Sequence, residues 1–425
     1  MDQINKTLHR PKKHMVGTLP EVVRDMAKKR PQILALAKKY GTPFYLVDDE
    51  NLEDSISGFE NAFREHIQES KFFYAIKANP YPHFLRRAVH HGWGLDASSG
   101  RELKLALDSR AKKILLTGPG KTEAELKLAL KHFRNVILNI DNFSELARLG
   151  KLLRRKKIRI RAGVRIFSTI HGSWSKFGIS LSDLQRFWQK SRSMPGLELQ
   201  GIQFHTSLNL GPERYQQIIA ELGKYLKTKF SAQMRSEIKF IDFGGGFFPD
   251  RVEGYYPWSH HYPWMFSGGE KPKPEARYYI TRAASPEQYA SGIGTAITKH
   301  LSPLGKHEYF GEPGRIVATR AMHIVLSVLD VKQNLAITDG GLNMMGWEFG
   351  KEFYLPIVNL TNFSDKEMRF TLYGSLCTPR DLWGHYIYAK KITEGDVIVI
   401  PNQGAYRFAL AQEFIKPIPP VYILK

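Results

Sequence analysis

Short runs of β-branched and apolar residues alternate with amphipathic stretches along the middle of the chain. There are eight apolar runs, at residues 72–78, 94–99, 114–118, 135–140, 158–166, 199–206, 237–246 and 307–315. Between them, stretches such as 101–109 and 122–132 place apolar residues at helical spacing. Strands that alternate with helices favour β/α units around a parallel sheet, and eight such units close a barrel. The pattern therefore predicts an α/β protein with a (β/α)8 TIM-like barrel over residues 72–315.

The segments on either side of the barrel have a different pattern. Residues 316–425 contain β-branched and aromatic runs, at 316–319, 369–373 and 396–400, separated by Gly, Asn and Asp. They predict a C-terminal antiparallel β domain. Residues 42–71 predict a strand and a helix that lead into the barrel, and the strand is a candidate member of the C-terminal sheet. Residues 1–41 predict a basic helical extension.

One connection within the barrel, 247–306, is much longer than usual. It carries a cluster of aromatic residues that includes Tyr255, Tyr256, Trp258 and Trp264. So many aromatic side chains predict a packed insert, either over the pocket or at a contact between subunits.

The composition is that of a globular protein. Of the 425 residues, 42% are hydrophobic and 24% are charged, which excludes collagen-like, low-complexity and disordered chains. No run of 18 apolar residues is present, and the first residues lack the apolar core of a signal peptide, so we expect a cytoplasmic protein without a membrane partner. The single cysteine, Cys377, excludes an intramolecular disulfide.

The net charge is the unusual property of the composition. The chain has 62 Lys and Arg against 41 Asp and Glu, a net charge of +21. Such an excess is typical of proteins that bind polyanions or anionic small molecules. The basic runs 28–30, 38–39 and 154–157 occur where helices are predicted to end, and the helix dipole stabilises cations there. Because no RNA-binding motif accompanies these runs, nucleic acid is not an expected partner.

Polar residues at the carboxyl ends of the predicted strands are the first candidates for chemistry, because barrel active sites lie there. Lys77 is near the end of the first run, where a buried neutral amine can form a Schiff base, although its charge can also extend to the surface. Asp96, near the end of the second run, is alternatively a cap for the next helix. His205, near the end of the sixth run, is alternatively a hydrogen-bonded core histidine.

The last two strands end in a glycine run and in a pair of opposite charges. Gly244, Gly245 and Gly246 expose N–H groups that an anion can approach closely, although such a run is also a common turn. Glu312 and Arg315 either pair with each other or face a ligand. No pattern of His, Cys and acidic residues predicts a metal site.

Five segments occur in the order found in one enzyme family. They are YAIKAN at 74–79, IDFGGG at 241–246, GEPGR at 311–315, Cys377, and GAY at 404–406. From about Thr42 to the C-terminus the chain resembles the fold-type III pyridoxal-phosphate decarboxylases, which include the diaminopimelate, ornithine and biosynthetic arginine decarboxylases. The resemblance implies an alanine racemase-like barrel, a C-terminal β domain, pyridoxal 5′-phosphate as cofactor, and a homodimer with shared active sites.

The resemblance also implies roles for individual residues. Those implied at the cofactor are Lys77, Asp96, Arg165, His205, Gly244, Gly245, Gly246, Glu312, Arg315 and Tyr406. Lys77 would hold the cofactor covalently, and Glu312 would face the nitrogen of its ring. Those implied at the substrate are Arg315, Thr378, Asp381 and Tyr406. After CO₂ is lost, by way of an external aldimine and a quinonoid, Cys377 of the partner subunit would return a proton to the α-carbon.

Three alternatives to a decarboxylase remain at this point. Alanine racemases of the same fold have an arginine at the position of Glu312, so the carboxylate favours decarboxylation over racemisation. Another lyase activity on this scaffold, and a non-catalytic binding or regulatory protein, are the other possibilities.

The substrate end departs from the diaminopimelate decarboxylases. Thr378 follows Cys377 where those enzymes have a glutamate, and Leu355 lies where we would look for their arginine, which binds a distal carboxylate. We therefore expect an anionic or unusual diamino acid, or a siderophore- or carrier-linked intermediate. Lys176, Arg380 and Arg407 would suit an anionic substrate.

Overall fold

The computed structural model describes residues 20–154, 156–171, 175–256, 278–346 and 353–424. Its strands are β1 Phe44–Asp48, β2 Ser70–Ala75, β3 Gly94–Ala97, β4 Ile114–Leu116, β5 Val136–Ile140, β6 Ile160–Phe167, β7 Ile179–Ser180, β8 Leu197–Phe204, β9 Phe240–Asp242, β10 Gly254–Tyr255, β11 Tyr279–Ile280, β12 Glu308–Gly311, β13 Met322–Lys332, β14 Leu335–Thr338, β15 Phe353–Tyr354, β16 Val358–Asn359, β17 Glu367–Tyr373, β18 Leu382–Tyr388, β19 Val397–Ile400 and β20 Val421–Leu424. Its α-helices are α1 Pro20–Tyr40, α2 Asp49–His66, α3 Pro82–His90, α4 Gly100–Asp108, α5 Glu123–Lys131, α6 Phe143–Leu153, α7 Leu184–Arg192, α8 Glu213–Lys229, α9 Ala232–Ser236, α10 Pro286–His300, α11 Arg315–Ala318 and α12 Arg407–Leu410.

The chain divides into two compact units. The barrel unit comprises Glu50–Pro249 and Ala283–Ala318. The sheet unit comprises Met1–Asp49, Asp250–Arg282 and Thr319–Lys425. No helix in the described ranges is long and apolar enough to cross a lipid bilayer.

Eight parallel strands close the barrel. They pair in the order β2-β3-β4-β5-β6-β8-β9-β12, and β12 pairs back onto β2. Each of the eight predicted apolar runs overlaps one of these strands, so the predicted TIM-like (β/α)8 barrel is confirmed. The additional short strand β7 pairs with the end of β6, where Ile166 lies opposite Ile179.

Side chains that point into the barrel form layers, because inward positions recur every second residue along a strand. The layer nearer the N-terminal ends of the strands is apolar, and none of its large side chains, Phe73, Leu115, Ile137, Phe240 and Phe310, is more than 4% exposed. Glycines on neighbouring strands make room for its rings, since a Cβ on Gly201 would overlap the ring of Phe240. We call this layer the barrel floor. Packing of this layer fixes the register of the strands, and that register determines which side chains form the next layer.

The sheet unit is built on one large sheet with strand order β14-β17-β18-β16-β19-β13-β1-β20 and a further pairing of β14 with β13. The predicted C-terminal β domain is confirmed, and β1 joins it. The sheet is mostly antiparallel, but β14–β17, β16–β18 and β1–β20 are parallel pairs.

Helix α1 lies in the region predicted as a basic helical extension, and it belongs to the sheet unit. Its residues Val23, Met26 and Ile33 are buried in the core of the sheet unit. Because this packing holds the helix on both sides of Pro31, the helix continues through the proline. The run 28–30 therefore lies in the middle of a helix and not at its end. Lys29 is buried there, with its Nζ 2.6 Å from Oδ2 of Asp48.

Two further predictions from the sequence are corrected. Residues 316–319 form helical turns in place of a strand, because the N–H groups of Val317 and Ala318 both donate to the Gly314 carbonyl. The long connection is not one insert: its first part places β10 and β11 in a small sheet with β15, whereas its last part supplies the barrel helix α10. Trp258 and Trp264 lie outside the described residues.

Candidate active site

A polar layer lies directly above the barrel floor, two residues further along the strands. It is formed by seven side chains from neighbouring strands, none more than 9% exposed: Asp96, Thr117, Asn139, Arg165, Gln203, Asp242 and Glu312. Because inward positions recur every second residue, the strands that form the apolar floor also place polar and charged side chains at the carboxyl end of the barrel.

Hydrogen bonds connect the members of the polar layer to one another. Asn139 donates from Nδ2 to the Thr117 hydroxyl at 3.3 Å and to Oδ2 of Asp242 at 3.4 Å. Gln203 donates to Oε1 of Glu312 at 3.3 Å, and the carboxyl groups of Asp242 and Glu312 are hydrogen-bonded to each other. Since two buried carboxylates repel, such a contact is stable only when one of them keeps its proton.

The proton of this pair belongs to Asp242. Burial raises the pKa of both carboxyl groups, but at Glu312 the hydrogen bond from His205 and the charge of Lys77 outweigh burial and lower its pKa to about 2. Burial and the negative charge of Glu312 raise the pKa of Asp242 well above its usual value. Glu312 is therefore the anion of the pair, and Asp242 is a neutral donor to it.

Lys77 lies in a short 3-10 turn, Ile76–Ala78, that directly follows β2. Its Nζ is 3.3 Å from Oδ2 of Asp96 and its side chain is 37% exposed, so of the two alternatives considered above the structure favours a lysine that reaches toward the surface at the strand end. Ser99 caps helix α4, which leaves Asp96 free of the capping role considered above. Burial and the nearby Glu312 raise the pKa of Asp96 to about 7, although Lys77 opposes this shift.

The raised pKa of Asp96 predicts a pH-dependent stability for the cofactor-free protein. The folded chain keeps this proton up to about pH 7 and the unfolded chain releases it near its ordinary pKa of 3.8, so the contribution of Asp96 to stability decreases as the pH rises between these values. We expect urea denaturation at pH 5 and pH 8 to show that wild type, relative to Asp96→Asn, loses on the order of 2 kcal/mol over this interval. A difference between the two proteins that does not vary with pH would contradict the assignment.

His205 directly follows β8 and contacts both the glycine run and Glu312. Its Nδ1 is 3.1 Å from the Gly245 nitrogen and 3.5 Å from Oε2 of Glu312. These contacts are alternatives, because one ring nitrogen cannot accept from Gly245 and donate to Glu312 at the same time. Burial lowers the pKa of His205, although the hydrogen bond with Glu312 opposes this shift.

The glycine run forms a close backbone bend that side chains would fill. Gly244 and Gly246 have φ values of +70° and +95°, and a Cβ on Gly246 would overlap the Thr206 carbonyl. The N–H groups of Gly246 and Phe247 have no hydrogen-bond partner within the described residues. They are available to an anion.

Two arginines of the barrel unit were expected near the cofactor. Arg165 lies in the polar layer, with its guanidinium carbon 4.4 Å from the centre of the Phe177 ring, and it faces several carboxyl groups, the first of them Glu312. Arg315 begins α11, and its guanidinium carbon lies 5.0 Å from the centre of the Phe248 ring. Glu312 is hydrogen-bonded to Gln203 and Asp242, so the alternative of a Glu312–Arg315 ion pair does not hold.

In the sheet unit, Cys377 lies on the loop that joins β17 to β18 and is exposed, which excludes the reading of this residue as a buried small hydrophobe. The buried Asp381 side chain stabilises this loop by hydrogen bonds to the backbone. It is 1% exposed, and its carboxylate accepts from the Leu342 N–H at 2.6 Å and from the Leu376 N–H at 2.7 Å. Both of its carboxylate oxygens accept backbone hydrogen bonds, which assigns Asp381 a structural role in the loop, and its contact with substrate stays a prediction.

Thr378 and Tyr406 are the remaining expected site residues of the sheet unit. Thr378 is half-buried, and its hydroxyl accepts from the Arg380 N–H at 3.4 Å. Tyr406 has a φ of +65°, a strained value for a side chain other than glycine, and such strain is often retained at binding sites. Arg407, which follows it, is buried and lies 3.8 Å from Glu253, so it pairs within the sheet unit.

Sequence reasoning missed four members of the polar layer, namely Thr117, Asn139, Gln203 and Asp242. A usable signal was present for them. Three of them lie two residues after a floor side chain, as Asp242 follows Phe240, and Gln203 lies two residues after Gly201, which faces the ring of Phe240. Inward positions recur with that period. Asp242 lies inside the segment IDFGGG, in which only the glycines are predicted to act at the cofactor.

The barrel residues fit pyridoxal phosphate by their chemistry. The Lys77 amine can bind an aldehyde carbon, and the Glu312 carboxylate can hold a proton on a ring nitrogen. The bent glycine run and Arg315 offer N–H groups and a cation to a phosphate.

Comparisons with known proteins agree with this geometry. Residues 53–319 match the family described as pyridoxal-dependent decarboxylase, pyridoxal binding domain. Diaminopimelate decarboxylase of Campylobacter jejuni is 25% identical and covers 89% of each chain. The 2-[(L-alanin-3-ylcarbamoyl)methyl]-2-hydroxybutanedioate decarboxylase of Staphylococcus aureus is 24% identical over 91% of this chain and 95% of its own.

Among solved structures, diaminopimelate decarboxylase of Helicobacter pylori in complex with L-lysine superposes with a TM-score of 0.74. It is 22% identical and covers 92% of this chain and 94% of its own, so the likeness concerns the fold. Taken with the family match and the polar layer, it leads to one conclusion: the chain belongs to the pyridoxal-dependent decarboxylase family and is a pyridoxal-phosphate-dependent decarboxylase.

Proposed function

We propose that this enzyme removes the α-carboxylate of an amino acid whose side chain is itself anionic, in a homodimer in which each site receives Cys377 of the partner subunit. The single observation that carries the substrate class is the loop around Cys377. Thr378 is uncharged, Arg380 is exposed, and the one acid of the loop, Asp381, is buried in hydrogen bonds to backbone N–H groups. The exposed charge of this loop is therefore positive.

The barrel residues bind and orient the reactants. Pyridoxal phosphate, when bound, supplies an electron sink for the electron pair that CO₂ leaves behind. Lys77 would hold the cofactor and later its amine would accept or donate a proton. Glu312 would keep a proton on the ring nitrogen, and Asp242 would keep Glu312 in place by donating to it. Gly246 and Arg315 would bind the phosphate.

The proton that replaces CO₂ would come from the Cys377 thiol. Two features of this chain support the role: the side chain is exposed, and the loop that carries it is fixed by the two N–H groups that Asp381 accepts. A donor on a fixed loop can deliver its proton to one face of the α-carbon.

The Staphylococcus aureus relative supports the substrate class by its printed name, which describes an alanine unit joined through an amide to a carboxylate-rich group. The net charge of +21 also favours an anionic substrate. Leu355, at the position where we would look for a distal-carboxylate arginine, is 3% exposed and carries no charge, so that recognition mode is absent at this position.

A substrate panel tests the proposal. Purified enzyme with added pyridoxal phosphate is given meso-diaminopimelate, L-lysine, L-ornithine, L-arginine, L-glutamate and an L-2,3-diaminopropionate acylated with a tricarboxylate, and CO₂ release is measured. We expect kcat/KM to be highest, by at least about tenfold, for an amino acid whose side chain has net negative charge, such as glutamate or the acylated diaminopropionate, and not for meso-diaminopimelate, whose distal carboxylate is balanced by an ammonium group. Highest turnover of meso-diaminopimelate or a diamino acid would overturn the substrate class, and racemisation without CO₂ release would favour the racemase alternative.

Thr378→Glu and Thr378→Gln provide a matched pair for the same experiment. Glutamate would repel an anionic side chain and attract a distal amine, whereas glutamine has the same shape without the charge. We expect Thr378→Glu alone to lower kcat/KM for the anionic substrate and to raise it for meso-diaminopimelate. Equal effects of the two variants would show that a charge at position 378 does not determine the preference between anionic and diamino substrates.

A further inference from the structure

The positive charge of the chain is concentrated in one short stretch. Residues 108–161 contain 15 Lys and Arg and 5 Asp and Glu, so they hold 10 of the 21 surplus positive charges. The proposed function does not account for this concentration, because the cofactor and substrate residues of the barrel lie at the carboxyl ends of the strands.

The barrel topology brings the cations of this stretch together. In a parallel barrel, the segments that precede neighbouring strands meet at the same end, and β4, β5 and β6 are neighbours. Hydrogen bonds join these segments directly: Asn135 donates to the Lys112 carbonyl at 3.3 Å, and Arg161 donates to the Arg134 carbonyl at 3.5 Å. Basic runs that are separate in the sequence therefore form one surface.

This surface, called here the basic end surface, consists of ten exposed cations: Arg110, Lys112, Lys113, Lys131, Arg134, Lys151, Arg154, Lys156, Lys157 and Arg159. Within the described residues, the only ion pair that any of them makes is Arg159 with Glu198, at 3.5 Å. Unpaired like charges at this density repel one another, and a polyanionic partner would relieve that repulsion.

The surroundings of the basic end surface distinguish between kinds of polyanionic partner. The large apolar side chains that are exposed in the described chain, such as Leu208 and Ile415, all lie outside residues 108–161. A protein partner is usually held by apolar or aromatic anchors, whereas the phosphate backbone of nucleic acid can be bound by charge. Within the described part of residues 108–161 no large apolar side chain is exposed, which favours nucleic acid over a protein partner. An anionic lipid surface can also be bound by charge, and the experiment below distinguishes it from nucleic acid.

We propose that the basic end surface binds the phosphate backbone of nucleic acid without sequence preference. The surface lies at the floor end of the barrel, opposite the polar layer, so that nucleic acid bound there leaves the reactive groups accessible. This inference does not depend on the proposed substrate. It replaces the expectation from sequence that the basic runs are isolated helix ends.

Fluorescence anisotropy with a labelled 20-nucleotide RNA tests the proposal on the full-length enzyme loaded with cofactor. Three cations from the three segments are reversed together in Lys112→Glu/Arg134→Glu/Lys157→Glu. The matched control, Lys332→Glu/Lys390→Glu/Lys391→Glu, makes the same change in net charge at exposed positions of the sheet unit. Circular dichroism and cofactor absorbance verify that both variants are folded and loaded.

We expect wild type and the control to bind two RNAs of unrelated sequence equally, with affinity that falls steeply with salt. Loss of three phosphate contacts should lower the slope of log K against log salt by about 2 and weaken binding on the order of 100-fold at 50 mM salt. The proposal is overturned if wild type does not bind RNA at 50 mM salt, or if the control loses as much affinity as the triple variant. It is also overturned if anionic vesicles of phosphatidylserine and phosphatidylcholine compete more strongly than RNA at equal charge.

Discussion

We expect Lys77→Ala to lower the rate of CO₂ release by at least about 10³-fold. The substitution removes the amine that would hold the cofactor and also a group that transfers protons, and proton transfer alone contributes about 10² to 10⁴. The structure supports this role because Lys77 lies at the edge of the polar layer, with Nζ 3.3 Å from Oδ2 of Asp96. The measurement is the initial rate of CO₂ release with saturating pyridoxal phosphate.

Lys77→Arg is the control, because it keeps a cation beside Asp96 but cannot act as a neutral amine near pH 7. We expect it to be as inactive as Lys77→Ala and to lack the absorption band of lysine-bound cofactor. Methylamine added to Lys77→Ala should restore part of the rate by replacing the missing amine. A Lys77→Ala protein that keeps a tenth of wild-type activity would remove Lys77 from the mechanism.

Asp242→Leu is expected to lower kcat/KM about 30- to 150-fold, equivalent to about 2–3 kcal/mol, the cost of leaving a buried charged group without one of its hydrogen bonds. Asp242 is completely buried, hydrogen-bonds Glu312, and accepts from the Gly244 N–H at 2.9 Å. It therefore links the carboxylate expected at the cofactor ring to the glycine run expected at the phosphate.

The Asp242→Asn variant tests whether the hydrogen bonds of Asp242 are sufficient for activity without its acidic proton. The amide can donate to Glu312 and accept from Gly244, so we expect its kcat/KM to remain within about fivefold of wild type. In Asp242→Leu the anionic form of Glu312 loses a donor, which raises the pKa of Glu312 and shifts the acidic limb of the kcat/KM profile to higher pH. Equal activity of the leucine and asparagine variants, with unchanged pH profiles, would show that Asp242 only fills space.

The barrel and its reactive residues could be predicted from sequence because they depend on local pattern and on order along the chain. The period of each apolar run identified all eight strands, and motif order brought out Lys77 and Glu312. The helix over 316–319 could not be predicted in this way, because its β-branched residues favour a strand and only hydrogen bonds to the Gly314 carbonyl make it helical.

Asp381 shows a second limit, which arises from contacts distant in sequence. Its position near Cys377 suggested a contact with substrate, but its carboxylate is enclosed by Leu342, which comes from another part of the sheet unit. Gly341 and Gly374 allow this approach, since a Cβ on Gly374 would overlap the Asp381 carboxylate. No local pattern in the sequence encodes such an enclosure.

The barrel floor limits how the polar layer exchanges protons with solvent. Its five large side chains are buried and apolar, so among the described residues this layer offers no side-chain group that could pass a proton onward. Buffer acids and bases would therefore reach Asp96, Asp242 and Glu312 from the carboxyl end of the barrel. While cofactor and substrate occupy that end, exchange of protons between the polar layer and solvent should be slow.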